Sequence, residues 1–480
     1  MTERVAHLIF DEKVAGGAST WEAVYNPATG ERIAEVPLDD ERAVELAVEA
    51  AARAFLDWAD TPILERARVM FRYRELLKSH QKELAAMVTR EHGKVQSDAF
   101  NEVGRGIEVV ELAAAAPSLL KGETLSAVAH GVDVSMLRVP LGVAAGITPF
   151  NFPAMIPLWM IPPAVVSGNT FVLKPSERTP LTSLRLLELL TEAGLPAGVV
   201  NIVHGGRAVV DRLLHHPRVK AVSFVGSQPV AEHVYRTAAA AGKRVQALGG
   251  AKNFHVVMPD ADLERTVEAL AGSAYGSAGE RCLAGSVVIA VGEVQERLVE
   301  AMAARARRLV VGNGTDSGSE MGPLIRAQHR ERVAGYIDKG VADGATLVYD
   351  GRQHPTPPQG FFLGPTLFDR VSADMSIARE EIFGPVLSVI RQPDLKTAVQ
   401  TANASRFGNT ATIYTAAGAA ARYFRDHIEA GMVGVNIGVP APIAWFPFAG
   451  WKNSFYGDLH ATGTDAFTFY TERRVITERW

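Results

Sequence analysis

The chain has 480 residues, of which 47% are hydrophobic and 21% are charged, and its 49 basic and 53 acidic side chains give a formal net charge of −4. This length exceeds what one hydrophobic core usually supports and predicts two or more domains. The charge argues against nucleic acid or an acidic membrane surface as a partner, and the single cysteine excludes an intrachain disulfide framework and a CxxC metal site. We therefore expect no bound metal and a reducing, cytoplasmic compartment.

Neither the N-terminus nor the most apolar stretch predicts a targeting or membrane segment. Residues 1–17 contain acidic side chains and no long apolar core, so we expect no signal or transit peptide. Prolines at five positions interrupt the apolar residues 141–173. That stretch therefore predicts buried strands, turns and a short helix rather than a membrane-spanning helix.

The remaining pattern predicts helices first and then two alternating series. Apolar residues recur at helical spacing over 39–59, 63–92 and 98–116. Apolar runs at 142–147, 170–175, 199–205 and 221–227 predict strands, and 180–193, 207–215 and 229–241 predict the helices between them. This alternation is typical of parallel βαβ units in a doubly wound, dinucleotide-type sheet whose strands are buried on both faces.

A second α/β domain follows. Its predicted helices are 262–278, 294–309 and 325–341, and its predicted strands are 286–291, 345–350, 411–415 and 433–437. Residues 351–366 are rich in proline and glycine and predict an exposed loop.

The only cysteine, Cys282, lies in the stretch GSAGERCLAG, residues 276–285. A lone cysteine is more often a small, inert core residue than a reactive one. The preceding Arg281 and the glycine-bearing turn favour a thiolate nucleophile, because positive charge and backbone N–H groups stabilise the anion. This stretch alone leaves both interpretations open.

Two further motifs follow predicted strands. Asn151, in PFNFP, carries a side-chain amide that can donate to a developing oxyanion, or it simply forms a turn. Lys174 and Glu177, in LKPSERTP, can hold a ribose, since a carboxylate can accept hydrogen bonds from both ribose hydroxyls. The alternative is an ordinary helix start capped by Ser176.

Two later motifs complete the set. The stretch FVGS, residues 224–227, ends a predicted strand and opens a helix, where backbone N–H groups can bind a pyrophosphate. EEIFGPVL, residues 380–387, supplies Glu381 as a second ribose acceptor and Phe383 as a wall for a ring.

In this order and at these separations, the motifs resemble those of the aldehyde dehydrogenase superfamily over essentially the whole chain. The resemblance runs from YNPATGE (25–31) through these motifs to FTFYTERRVIT (467–477). It implies an α/β fold with three parts. They are an NAD-binding domain from 1–120 and 141–247, a catalytic domain from 248–450 with Cys282, and a small oligomerisation arm from 121–140 and 460–480.

The resemblance also implies roles for the site residues. Cys282 is the nucleophile, and Asn151 and the backbone N–H of Cys282 form the oxyanion hole. The residues implied for NAD binding are Thr148, Phe150, Lys174, Glu177, Arg178, Ser227, Glu381 and Phe383. A carboxylate at Glu177 would favour NAD over NADP because it repels a 2′-phosphate. A homodimer or homotetramer is the implied assembly.

The general base that most of this family uses to activate water is missing. The corresponding stretch reads QALGGAKN, residues 246–253, and the base position holds Ala247 or Leu248, depending on the alignment. Neither side chain can accept a proton. A thiol acceptor such as coenzyme A can instead release the thioester, because a thiolate needs less activation than water. The alternative is a replacement base elsewhere, for example Glu472.

The whole pattern most closely resembles the CoA-acylating branch that oxidises methylmalonate semialdehyde and malonate semialdehyde with loss of CO₂. This resemblance rests on GAKNFHVVMPDAD (250–262), AGERC (278–282) and the C-terminal stretch 434–458. A carboxylated substrate needs a cation, and Arg105 and Arg281 match branch positions. The alternatives are a surface pair of Arg105 with Glu102 or Glu108, and activation of Cys282 by Arg281.

The expected products are propionyl-CoA and acetyl-CoA, and both valine and inositol breakdown feed this chemistry. Two rival functions remain. One is a hydrolytic NAD(P)-dependent semialdehyde dehydrogenase that releases a free acid, and the other is a catalytically silent binding or structural member of the fold. The missing base argues against the first, and Cys282 together with Asn151 argues against the second.

Overall fold

The computed structural model describes residues 3–480, with sixteen α-helices and twenty-three β-strands. The helices are α1 Glu41–Asp60, α2 Ile63–Ser79, α3 Gln81–His92, α4 Gln96–Ala114, α5 Ala116–Leu119, α6 Met155–Val166, α7 Leu181–Glu192, α8 Arg207–His215, α9 Gln228–Ala240, α10 Leu263–Tyr275, α11 Gln295–Arg308, α12 Ala327–Ala342, α13 Ser376–Arg379, α14 Leu395–Asn403, α15 Gly418–His427 and α16 Gly463–Phe469.

The strands are β1 Glu3–Arg4, β2 His7–Ile9, β3 Glu12–Val14, β4 Trp21–Asn26, β5 Glu31–Pro37, β6 Glu123–Ala129, β7 Val132–Pro140, β8 Val143–Ile147, β9 Thr170–Lys174, β10 Val200–Ile202, β11 Val219–Val225, β12 Arg244–Leu248, β13 Asn253–Val257, β14 Gly285–Val291, β15 Thr346–Tyr349, β16 Thr366–Asp369, β17 Val386–Gln392, β18 Phe407–Gly408, β19 Thr410–Tyr414, β20 Met432–Val435, β21 Trp451–Lys452, β22 Phe455–Tyr456 and β23 Thr471–Arg479.

The first large sheet has eight strands in the order β22-β12-β11-β8-β9-β10-β2-β3. The five central strands are parallel, and the edge strands β22, β2 and β3 are antiparallel. Helices α2, α3, α4, α6 and α7 pack on one face, and α1, α8 and α9 on the other. Every residue of β8 and β9 is buried, as expected for parallel strands covered on both faces. The predicted βαβ series is confirmed.

The second large sheet has seven strands in the order β15-β16-β17-β14-β13-β19-β20. Only the edge pair β15 and β16 is antiparallel. Its own hydrophobic core includes residues from α10, α11, α12, α14 and α15. The predicted second α/β series is therefore confirmed.

A separate three-stranded antiparallel sheet, in the order β23-β7-β6, joins residues 123–140 to the C-terminal strand. β23 pairs with β7 along all nine of its residues, from Thr471 opposite Pro140 to Arg479 opposite Val132. Apolar side chains on this sheet, among them Leu125 and Val475, are exposed to solvent. β22 joins the first large sheet from beyond residue 450. The domain boundaries drawn from the sequence stay a prediction.

Two local predictions are wrong. The predicted single helix 63–92 is two helices, α2 and α3, which meet at His80. The side chains of Ser79 and His80 both bond to the Leu76 carbonyl and so compete with the helical backbone. The predicted exposed loop 351–366 is exposed only in part, because residues 362–366 are buried against the second sheet.

The apolar stretch 141–173 forms β8, the buried helix α6 and β9. α6 has twelve residues and contains Pro162 and Pro163. Within residues 3–480, no helix is long and apolar enough to cross a membrane. The same residues contain no group of three or more His, Cys, Asp or Glu side chains arranged to hold a metal ion.

Candidate active site

The candidate site lies where the parallel strands of the first large sheet end. Thr148 follows β8 directly, Lys174 is the last residue of β9, and Ser227 follows the end of β11. The carboxyl ends of neighbouring parallel strands meet at one edge, so these side chains converge although they are far apart in sequence. The second sheet adds Cys282, just before β14, and Glu381 and Phe383, just before β17.

Cys282 lines two cavities. One is a groove of about 870 Å³ at the ends of the strands, and the other is a smaller cavity of about 210 Å³ beneath helix α4. The groove is large enough for an extended ligand such as a dinucleotide, whereas the smaller cavity suits a small organic molecule. The thiol is thus accessible from two separate spaces.

The turn before Cys282 has an unusual backbone. Ser277, Ala278 and Gly279 have φ values of 49°, 53° and 72°, so three consecutive residues adopt the left-handed region. A side chain at Gly279 would collide with the carbonyl oxygen of Gly384. Strained backbone of this kind persists only where surrounding contacts hold it, and it is common at functional sites.

Two asparagines hold the turn from the second sheet. Nδ2 of Asn253 and Nδ2 of Asn409 each donate to the carbonyl oxygen of Cys282 at 2.9 Å. Asn253 also donates to the carbonyl of Ala284 at 2.8 Å. The sequence did not identify either residue. Asn253 lies in the stretch QALGGAKN, whose pattern indicates only that a base is missing, and nothing in the pattern distinguishes Asn409.

The Cys282 thiol is neutral in the resting protein. Burial and the nearby negative charge of Glu381 raise the pKa of Cys282 to about 12, against the opposing effect of the Cys282 and Leu283 backbone N–H groups and of Arg281. Arg281 lowers the pKa of Cys282 in the expected direction, but burial and Glu381 outweigh it. The guanidinium of Arg281 is paired with the carboxylate of Asp98, at 2.5 Å between Nη2 and Oδ2.

The side chain of Asn151 lies next to the Cys282 turn. It is buried, and its Nδ2 donates to the carbonyl oxygen of Glu280 at 2.9 Å. A carboxamide nitrogen carries two N–H groups, so this bond fixes the amide while leaving a second donor. That arrangement is compatible with an oxyanion-binding role, which stays a prediction.

A buried ion pair supports the loop that carries Asn151. The ammonium of Lys94 lies 2.7 Å from the carboxylate of Glu102 and donates to the Asn151 carbonyl at 2.6 Å. The other oxygen of Glu102 accepts the backbone N–H groups of Ala154 and Met155, at the start of α6, at 2.9 and 3.2 Å. Lys94 and Glu102 were not identified from the sequence.

The structure brings all eight residues predicted to bind NAD to the wall of the large groove. They are Thr148, Phe150, Lys174, Glu177, Arg178, Ser227, Glu381 and Phe383. Burial opposes ionisation of Glu177, yet the Lys174 ammonium at 3.0 Å outweighs it and lowers the pKa of Glu177 to about 2. Glu177 is therefore an ionised acceptor at neutral pH.

The segment with Glu381 and Phe383 is held by two residues of α12 that the sequence did not identify. Arg332 donates to the carbonyls of Glu381 and Ile382 at 2.9 and 2.8 Å. His329 Nε2 donates to the carbonyl of Phe383 at 2.7 Å. Phe383 itself has a φ of 58° and meets Phe150 edge to face. Both contacts are to main-chain atoms, which no sequence motif records.

No carboxylate stands at the expected base position. Ala247 and Leu248 are buried residues of β12. Glu472, the suggested replacement, lies on β23, pairs with Arg244 and lines neither cavity at Cys282. The Glu381 carboxylate lines the large groove, and its Oε1 accepts the backbone N–H of Ala251 at 2.9 Å.

Arg105 and Arg281 both line the small cavity with Cys282. Arg105 pairs with Glu108 at 2.9 Å, as the surface-pair alternative expected, and also donates to the carbonyls of Ala441 and Pro442. Arg105 thus forms the helical ion pair with Glu108 and also lines the cavity, so the two interpretations of this residue do not exclude each other.

The pKa of Cys282 gives a direct test. Because the thiolate is a minor species below a pKa of about 12, alkylation of the folded protein by iodoacetamide should accelerate about tenfold per pH unit from about pH 7 to pH 10, without a plateau. Mass spectrometry reports on this residue alone, because the chain has one cysteine. The denatured chain is the control and should level off near pH 8.5. A plateau near that value in the folded protein would contradict the raised pKa.

The Lys94–Glu102 pair should be essential for stability. Lys94→Met leaves a buried carboxylate without its partner, so the free energy of unfolding should fall by about 3–5 kcal/mol. Urea unfolding measures it. Lys13→Met, which breaks the exposed pair with Glu188, is the control and should cost less than about 1 kcal/mol. The double variant Lys94→Met, Glu102→Gln removes the unpaired charge and keeps an acceptor for the N–H groups of Ala154 and Met155, so it should recover much of the loss. A double variant no more stable than Lys94→Met would contradict this explanation.

Comparison with known proteins agrees with this geometry. The profile of the aldehyde dehydrogenase family matches residues 14–476. A malonate-semialdehyde dehydrogenase of Halalkalibacterium halodurans is 55% identical over 478 residues, which cover 100% of this chain and 99% of that protein. Malonate-semialdehyde dehydrogenase 1 of Geobacillus thermodenitrificans is 56% identical over 460 residues, covering 96% and 95%.

Two crystal structures are similar over the whole chain. The methylmalonate-semialdehyde dehydrogenase of Oceanimonas doudoroffii superimposes with a TM-score of 0.98 at 52% identity, covering 100% of this chain and 99% of that one. A protein from Sinorhizobium meliloti 1021, assigned to the same activity and crystallised with NAD, gives 0.98 at 46%, covering 100% and 98%. The chain belongs to the aldehyde dehydrogenase family.

Proposed function

We propose that this chain is an NAD-dependent, CoA-acylating semialdehyde dehydrogenase. It converts methylmalonate semialdehyde to propionyl-CoA and malonate semialdehyde to acetyl-CoA, with loss of CO₂. One observation carries the proposal: a single thiol separates a groove sized for a dinucleotide from a small cavity that contains two arginines. The activities for which the similar proteins described above are named support the same substrates.

The substrate's two ends match the small cavity. Its aldehyde carbon must reach Sγ of Cys282, and its carboxylate, on the carbon next to the aldehyde, can receive hydrogen bonds from Arg105 and Arg281. Phe152, Trp159 and Phe448 supply apolar walls around these polar groups. A plain aldehyde fits the same space but leaves both arginines without a ligand.

The chemistry begins when the Cys282 thiol loses its proton to water in the groove and the resulting thiolate attacks the aldehyde carbon. The resulting oxyanion receives hydrogen bonds from the Asn151 amide and the Cys282 backbone N–H. These donors stabilise the negative charge that develops on the oxygen in the transition state. NAD, when bound in the large groove, supplies the acceptor for the substrate's hydride. The ionised Glu177 and the Glu381 carboxylate would hold its riboses, and Phe383 and Phe150 line the groove beside them.

Release of the acyl group depends on what is absent at the end of β12. Aliphatic Ala247 and Leu248 cannot activate water. The carboxylates of Asp98, Glu102 and Glu108 in the small cavity are engaged with cations. A coenzyme A thiolate needs no such base, and its attack conserves the thioester. This argument favours acyl transfer over hydrolysis.

The proposal extends to cofactor preference, assembly and location. The charge of Glu177 repels a 2′-phosphate and favours NAD over NADP. The exposed apolar residues Leu125 and Val475 on the β23-β7-β6 sheet favour a homodimer or homotetramer built through this arm. The single free cysteine fits a reducing cytoplasm, where valine or inositol breakdown supplies substrates of this kind.

NADH formation from methylmalonate semialdehyde, measured with and without coenzyme A, tests the proposal. Steady turnover should require coenzyme A and yield propionyl-CoA, because no base activates water for release. Without coenzyme A, a burst of about one NADH per site should remain, and Cys282→Ala should abolish it. Turnover that ignores coenzyme A and yields a free acid would identify a hydrolytic enzyme, and the absence of any burst would identify a silent member of the fold.

Arg105→Leu tests carboxylate recognition. Loss of a charge-assisted hydrogen bond should raise KM for methylmalonate semialdehyde about tenfold to a hundredfold, with a much smaller effect on propanal. Arg185→Leu is the control, because Arg185 lies on α7, pairs with Glu83 and lines neither cavity. An equal rise in KM for both aldehydes would remove Arg105 from the substrate site.

A further inference from the structure

The small cavity is lined by acidic as well as basic side chains. Arg281 pairs with Asp98 at 2.5 Å, and Arg105 pairs with Glu108 at 2.9 Å, and all four side chains line the cavity. The charges of the two arginines are therefore offset before any substrate arrives. A site built only to bind an anion tightly would leave its cations without such partners.

Asp98 lies in the first turn of α4 and lines the small cavity together with Cys282. Its Oδ2 accepts hydrogen bonds from Arg281 Nη2 and from Ser277 Oγ, the latter at 3.1 Å. Ser277 begins the left-handed turn, and Arg281 directly precedes Cys282. Asp98 thus neutralises Arg281 and also fixes its direction relative to the nucleophile.

Arg281 keeps hydrogen-bonding capacity although its charge is offset. Each of its three nitrogens makes one bond: Nε to Ser277 at 3.2 Å, Nη1 to the Gly272 carbonyl at 3.3 Å and Nη2 to Asp98. A guanidinium carries five N–H groups, so two have no partner among residues 3–480. These two N–H groups can therefore donate hydrogen bonds to the substrate carboxylate, while the net charge around the carboxylate stays low.

Low net charge matters for loss of CO₂. In the acyl-enzyme, the bond between the α-carbon and the carboxylate breaks and its electron pair moves into the thioester carbonyl to give an enolate. The α-carbon then takes a proton from water, and CO₂ leaves uncharged. An unopposed cation stabilises the carboxylate in the ground state more than in this transition state, and so slows the step.

We propose that Asp98 is a positioning residue that weakens the hold of Arg281 on the substrate carboxylate, so that the acyl-enzyme can lose CO₂. Glu108 does the same for Arg105. This inference rests on the proposed function, since it concerns the decarboxylating substrate of that same site. In this proposal two acidic side chains weaken the binding of the substrate carboxylate instead of strengthening it.

Asp98→Asn separates this role from a merely structural one. The variant keeps an acceptor for Arg281 but removes the charge, so KM for methylmalonate semialdehyde should fall about twofold to fivefold relative to KM for propanal. The rate of CO₂ release from the acyl-enzyme, formed without coenzyme A, should fall by a similar factor. Mass spectrometry of the protein then detects an acyl group that retains its carboxylate.

Two further variants complete the experiment. Glu108→Gln should act in the same direction, which keeps the test decisive if Asp98→Asn disturbs the turn. Asp338→Asn removes one of the two carboxylates that contact the surface residue Arg352 and should change neither quantity. A rise in the KM of the carboxylated substrate would show that Asp98 only orients Arg281, and an unchanged rate of CO₂ release would also overturn the inference.

Measurements on the wild-type protein distinguish failure of the proposed function from failure of the role given to Asp98 and Glu108. If it forms propionyl-CoA and both variants release CO₂ at the wild-type rate, the proposed function stands and this inference fails. If the wild-type protein shows no preference for carboxylated aldehydes, both fail together.

Discussion

The buried ion pair of Lys94 and Glu102 is the constraint on which the site depends. Each charge would be costly to bury alone, and each is stabilised only because the other is present. Lys94 holds the carbonyl of Asn151, and Glu102 holds the start of α6. The loop between β8 and α6 is therefore held at both ends, and the Asn151 amide lies beside the Cys282 turn without a ligand.

Helix α4 extends this constraint to the small cavity. Asp98, Glu102 and Arg105 are spaced four and three residues apart, so they project from one face of the helix. All three line the small cavity, and in addition Asp98 contacts Arg281 beside the nucleophile and Glu102 contacts Lys94. A shift of this helix would change the oxyanion loop and the substrate pocket together.

The sequence predicted the parts of the site that local pattern determines. Lys174 and Ser227 could be placed because they end parallel strands, and strand ends converge at one edge of a sheet. The same logic predicted both α/β series. The division of 63–92 at His80 was not predictable from apolar spacing, since it depends on side chains that bond back to one carbonyl.

The supporting residues were out of reach for a different reason. Asn253, Asn409, His329 and Arg332 bond to main-chain carbonyls of segments that are distant in sequence. Every residue has a main-chain carbonyl, so the sequence does not show which carbonyl one of these side chains will contact. Arg281 shows the converse: its neighbour in sequence is Cys282, yet its closest carboxylate belongs to α4.

The raised pKa of the only thiol has a consequence for the life of the protein. Oxidants attack the thiolate rather than the thiol, and a sulfenic acid is normally rescued by a second cysteine nearby. This chain has no second cysteine to do so. By keeping Cys282 protonated at rest, the fold lowers the reactivity of an irreplaceable sulfur between turnovers, so its protection against oxidative damage comes from the raised pKa rather than from a resolving cysteine.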